Sequence, residues 1–174
     1  MLYRFALTAI LALTACTPAP PASQAAPDPA AAQAASDASA NAARLSAAPQ
    51  TGAWAFQADD AIFAAGFGAP ESEVQLVFTC NQASGAVHIT SAHELAPDQD
   101  TTLTLIMLNA TRALPAKSFN EGLPSVTAEL AGDQARDIAA LLSAPHANLG
   151  IEIAGETHVY PWSPEIAQAL EGCR

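Results

Sequence analysis

Positive charge is what this chain has least of. Six Lys and Arg residues stand against seventeen Asp and Glu, for a net charge of −11. Binding a phosphate backbone or anionic headgroups needs a basic patch, so nucleic acid is excluded as a partner. The carboxylate surplus speaks first for solubility and second for attraction to a cationic partner. Cysteine is scarce, with three residues, too few for a disulfide-dense scaffold. No apolar run approaches the roughly 20 residues of a transmembrane helix. Missing altogether are a glycine-rich phosphate loop, a dinucleotide fingerprint, an HExxH pair and a G-x-S-x-G elbow.

What is present begins at the N-terminus. Met1-Leu2-Tyr3-Arg4 carries one positive charge, and Phe5 to Leu13 (FALTAILAL) is apolar. Small residues and a cysteine follow in Leu13-Thr14-Ala15-Cys16. Charge, short apolar stretch and small residues come in the order of a secretory signal. The stretch resembles the lipobox of bacterial lipoproteins. That resemblance implies removal of residues 1–15 and lipidation of Cys16, which then holds the protein on a membrane through two or more acyl chains. Thr17 stands where an Asp would signal inner-membrane retention, so the resemblance also implies the outer membrane, on its periplasmic face.

Residues 16–50 read as an Ala/Pro-rich tether. Over residues 17–50, 15 of 34 are Ala and 6 are Pro, with one Leu and no aromatic. Such a segment has little to bury against the entropy of ordering, and its Pro-rich start favours extended backbone. Alanine propensity allows a transient helix over residues 30–45. No apolar stripe is visible to hold that helix against anything, so disorder is expected.

Composition changes near Thr51, and residues 51–174 suffice for one domain with one core. Apolar patterning predicts strands at Trp54–Gln57, Ala61–Ala65 (where a helical turn is the alternative), Val74–Cys80, Ala86–Ser91, Thr101–Leu108, Val126–Leu130, Asn148–Ala154 and Thr157–Tyr160. Turn-like Asn81–Gly85 and Gly155 join two of these pairs into hairpins. Helical signals are confined to Gln134–Ser143, with Asp133 as its cap and Pro145 beyond it, and to a C-terminal helix opened by Ser163-Pro164. The expected fold class is mainly β, an antiparallel sheet forming a sandwich or open barrel, with two short helices, one at the C-terminus. Most of the aromatics (Trp54, Phe56, Phe63, Phe67, Phe78, Phe119, Tyr160, Trp162) are expected in the core, with Trp162 stapling the corner before the last helix.

Setting Cys16 aside leaves Cys80 and Cys173. Cys80 shares a strand face with Val74, Leu76 and Phe78, and Cys173 shares a helix face with Ile166 and Leu170. In an exported domain two such cysteines suggest one disulfide, pinning the last helix to the sheet. Neither cysteine belongs to a CxxC, which argues against redox or metal chemistry.

The remaining polar groups form no catalytic constellation. His88 and His158 are placed mid-strand, opposite the expected core face. Pairing of their strands would bring the two imidazoles together near Glu152 or Glu156, the makings of a zinc or copper site. Without ligand spacing among His88, His93, His146 and His158, exposed strand positions are the simpler reading. Asp59-Asp60 and Asp98-Gln99-Asp100 lack the Gly and terminal Glu of an EF-hand loop and read as solvated turns. No catalytic residue, metal ligand or cofactor is assigned.

Phe67-Gly68-Ala69-Pro70, the strand ending in Cys80, and Pro161-Trp162…Cys173-Arg174 together resemble small exported lipoproteins of alphaproteobacteria. The resemblance spans about residues 52–174 and supports the cysteine pairing, but it brings no activity with it. The expected protein is a monomeric, membrane-anchored periplasmic lipoprotein with a binding or envelope-structural role, a periplasmic protein as partner, and no enzymatic activity. Inhibition of a cationic envelope-attacking enzyme such as lysozyme, or hydrolase activity, are the alternatives.

Overall fold

The computed structural model describes residues 29–120 and 122–174; the signal-like stretch, Cys16 and the Pro-rich start of the tether lie outside the described residues. Nine strands follow one another: β1 (Ala53–Asp59), β2 (Ile62–Gly68), β3 (Val74–Asn81), β4 (Ala86–Ala92), β5 (Asp100–Met107), β6 (Ala110–Phe119), β7 (Ser125–Leu130), β8 (Asn148–Ile153) and β9 (Glu156–Pro161). Among them stand α1 (Pro29–Arg44), α2 (Gly132–Ser143) and α3 (Pro164–Ala169), with a closing 3-10 turn at Glu171–Cys173. The strands make one antiparallel sheet in the order β1-β2-β3-β4-β7-β6-β5-β8-β9, curled into a half-barrel. The mainly β reading therefore holds in its open-barrel form, with a third helix added ahead of the sheet.

Alternation dictates which face curls inward. Along β3, Leu76, Phe78 and Cys80 are buried while their neighbours are not; along β4 the same is true of Val87, Ile89 and Ser91. The apolar ones among them join α2 (Ala135, Ile138, Ala139, Leu142) and α3 (Ile166, Ala169) in one continuous core. The curl brings the far end of the sheet back toward its start. Trp54 on β1 donates its indole N–H to Pro161 O at 2.7 Å, and Phe67 on β2 meets Tyr160 on β9 edge to face, with ring centroids 5.3 Å apart. Cys80 and Cys173 are bonded, with Cα atoms 6.0 Å apart, so the C-terminal turn is covalently fixed to β3.

Two expectations need correction, and one strand is unanticipated. The strand β6, absent from the expected set, contains Pro115, and proline removes a ladder donor. The fold tolerates it where β6 parts from β7: those strands pair only at Lys117–Phe119, leaving the β7-facing edge of β6 unpaired at Pro115. Asp133 does not cap α2. Ala131 occupies the cap position without a side-chain bond, and Asp133 pairs with Arg136 one turn on. Most aromatics do reach the core: Phe67, Phe78 and Tyr160 are buried and Trp54, Phe56 and Trp162 pack against it, whereas Phe119 is 41% exposed.

The second correction concerns the tether. The helix that alanine propensity allows is present as α1, and its last turn docks on the sheet through polar groups rather than an apolar stripe. Asn41 is buried; its amide donates to Leu108 O at 3.4 Å, and its carbonyl accepts from the Thr111 hydroxyl at 3.0 Å. Arg44 meets Glu152 at 2.6 Å. Leu45 covers Gly150 on the outer face, where an added Cβ would stand 3.2 Å from Leu45 Cδ2 and 3.3 Å from Ile106 Cβ. Gln50 N donates to Val159 O at 2.7 Å. Contacts with the sheet thus begin before Thr51.

Candidate functional site

The hairpin of β8 and β9 carries the chemistry. Its tight turn holds Ala154 and Gly155 at positive φ, which glycine adopts without strain. From that turn β9 sends Glu156, His158 and Tyr160 to one face and Thr157 and Val159 to the other, by the two-residue period of a strand. Ile151, a core residue, is the register partner of His158. The face bearing His158 is therefore the inward one, contrary to the expectation that it points away from the core.

Facing this hairpin across the curl is the end of β4. Val87, Ile89 and Ser91 point inward, and His93 continues their phase just past the strand. Its backbone N–H is fixed on Pro124 O at 3.2 Å. The His93 and His158 rings approach edge to face, with centroids 6.4 Å apart. One ligand atom from each of His93, Glu156 and His158 falls within 4.8 Å of the others. His158 Nε2 lies 3.2 Å from Glu156 Oε1, and His158 Nδ1 lies 3.3 Å from Gln50 Nε2. Both histidines are half-buried, while the Glu156 carboxylate is 63% exposed and free to swing.

One layer deeper, Ser91 faces Tyr160. Burial pushes the Tyr160 phenol up from its ordinary range, and the Ser91 hydroxyl opposes the shift. Ser91 Oγ is itself buried without a well-formed hydrogen bond. On the outer face of the same hairpin, Arg44 holds the Glu152 carboxyl below the ordinary carboxylate range, aided by Thr157 and opposed by burial. Glu152 thus belongs to the docking of α1 and is separated by the sheet from the histidines.

The pairing of His158 with His88 is not what the fold provides. His88 lies on the outer face of β4, in register with Glu129, and His93 takes its place. The signal for two of the three residues is nonetheless in the sequence: Glu156-Thr157-His158 places a carboxylate and an imidazole two apart on one strand face. His93 gives no local signal, because only the curl of the sheet brings it near. His146 lies elsewhere, with Nε2 2.9 Å from Leu141 O and its ring against Trp162, whose indole N–H donates to Leu142 O at 2.9 Å. The acidic turns behave as solvated turns: Asp60 and Asp98 adopt positive φ, and Asp98 pairs with Lys117 at 3.2 Å.

Two surface hollows lie apart from His93 and His158. One opens where β6 leaves β7, lined by Asp100, Pro115, Lys117, Phe119 and Glu129; another lies under α1, lined by Asp37, Asn41, Thr111 and Arg112. Converging donors matter more than hollow size where the ligand is a single ion. Among the described residues, no helix is long and apolar enough to cross a membrane. The chain matches no protein-family model, no curated protein and no solved structure.

Proposed function

We propose that this is a lipid-anchored lipoprotein of the bacterial outer membrane, displaying a disulfide-pinned half-barrel in the periplasm in a binding role without catalysis. The observation that carries this reading is the Cys80–Cys173 bond at the heart of the fold. Structural disulfides persist in oxidising compartments and are rare in the cytosol. The Leu13–Cys16 motif, with its preceding charge and apolar run, supplies the export route and the anchor. A non-catalytic role is favoured because the inward face is filled by α2, α3 and aromatic side chains, whereas a substrate site is usually an enclosed cleft.

Metabolic labelling tests the anchor. Tritiated palmitate should enter the wild-type chain and be lost from the Cys16→Ala variant, which should also leave the membrane fraction or accumulate unprocessed. Equal labelling of both chains would overturn the reading.

A further inference from the structure

We propose that His93, Glu156 and His158 form a binding site for a divalent first-row transition cation, with zinc the best match. Two imidazoles and one carboxylate make a nitrogen-rich, borderline-soft donor set. Such a set suits Zn²⁺ and its neighbours, whereas Ca²⁺ and Mg²⁺ require oxygen ligands. Three protein ligands leave a fourth position for water or for a donor from a partner, as in open zinc sites.

The geometry needs only a small adjustment. Around a tetrahedral zinc, donors at about 2.0–2.1 Å stand about 3.3 Å from one another. His158 Nε2 and Glu156 Oε1 are already 3.2 Å apart, and all three donors lie within 4.8 Å. The closure falls to the exposed Glu156 carboxylate and to rotation of the His93 ring, since the backbone of His93 is fixed on Pro124 and that of His158 lies in the ladder with β8.

Gln50 completes the arrangement as a positioning residue. A metal on Nε2 of His158 requires a proton on Nδ1, and metal-bound histidines almost always donate that N–H to an outer acceptor. The Gln50 amide stands 3.3 Å from Nδ1. Turned over, it presents Oε1 as that acceptor, and amide orientation is a matter of the surrounding bonds. The net charge of −11 adds a field that draws cations toward the protein. Arg44, on this hairpin's other face, is committed to Glu152.

Calorimetric titration of the chelator-stripped, oxidised full chain with ZnCl₂ tests the site. One equivalent should bind with micromolar or tighter affinity. His93→Ala and His158→Ala should each weaken binding by more than about tenfold, and Gln50→Ala by about tenfold. His88→Ala, on the opposite face, should bind as the wild type does. Melting in chelator shows that each variant folds, and Co²⁺ in place of zinc reads the site directly through the visible bands of a four-coordinate ion. Failure of the folded wild type to take up one equivalent would overturn the proposal. So would undiminished uptake by folded His93→Ala and His158→Ala, which would mean adventitious surface binding only. The site does not depend on the lipid anchor, so palmitate labelling and zinc titration fail separately.

Discussion

Two helical regions dock on the same sheet by opposite means. At the C-terminal end, α2 and α3 bury Ile138, Leu142 and Ile166 in the core, and the turn that follows is bonded to β3 through Cys173. At the other end, Asn41 is buried among the described side chains of α1, and its hydrogen bonds, an ion pair from Arg44, Leu45 over Gly150 and a backbone bond from Gln50 contribute to the contact. Apolar burial is worth about 25 cal/mol per Å², and a disulfide closing a long loop adds several kcal/mol. A half-exposed ion pair contributes about 0–1 kcal/mol. The same sheet thus holds one helical layer as part of its core and another as a detachable arm, and the arm is the part that leads back toward Cys16.

The comparison breaks most sharply at the covalent end. Cys173→Ser should cost about 2–5 kcal/mol in denaturant unfolding, with loss of cooperativity around α3. A midpoint unchanged from the wild type would show that apolar contacts alone hold the C-terminal layer.

A chain beginning at Thr51 addresses the other end. It loses Leu45 over Gly150 and Ile106, together with the Gln50 bond to Val159, and should unfold with a stability lower by about 1–3 kcal/mol while keeping the β fold by circular dichroism. An unchanged melting temperature would make α1 a bystander and return the domain boundary to Thr51.

The smallest effect sharpens the arm's mechanism. Arg44→Ala should change global stability by less than about 1 kcal/mol yet raise amide exchange in α1. The Glu152 carboxyl is held below its ordinary range, first by Arg44. A depressed carboxylate contributes stability that is present above its unfolded pKa and lost as pH falls through its folded pKa. The docking of α1 should therefore persist at neutral pH and loosen only below the ordinary carboxylate range, and Arg44→Ala should remove that acid dependence. Exchange in α1 that rises equally with acid in both chains would assign the transition to another group.

The difference between the two ends also explains what reading the residues in order could recover. The stripes of α2 and α3, the alternation along β3 and β4, and the pairing of Cys80 with Cys173 are local patterns with a burial signal at every second or fourth position. The arm carries no such pattern: Asn41, Arg44 and Gln50 are ordinary polar residues until Leu108, Glu152 and His158 are placed opposite them. The strand β6 had no clear local pattern, and its proline is tolerated because that strand edge is unpaired at Pro115. The candidate metal site divides in the same manner. Glu156 and His158 share a face by the period of one strand, whereas His93 joins them through the curvature of the sheet.

By itself the sequence determined the mainly β class, the position of most strands, both C-terminal helices and the cysteine pair, because each depends on hydrophobic period or residue chemistry within a short window. Only the tertiary structure decided which face of β9 points inward, that α1 rests on the sheet, and that His93 rather than His88 meets His158. Those outcomes follow from the curl of nine strands into a half-barrel, a global property of twist and closure that no single segment encodes.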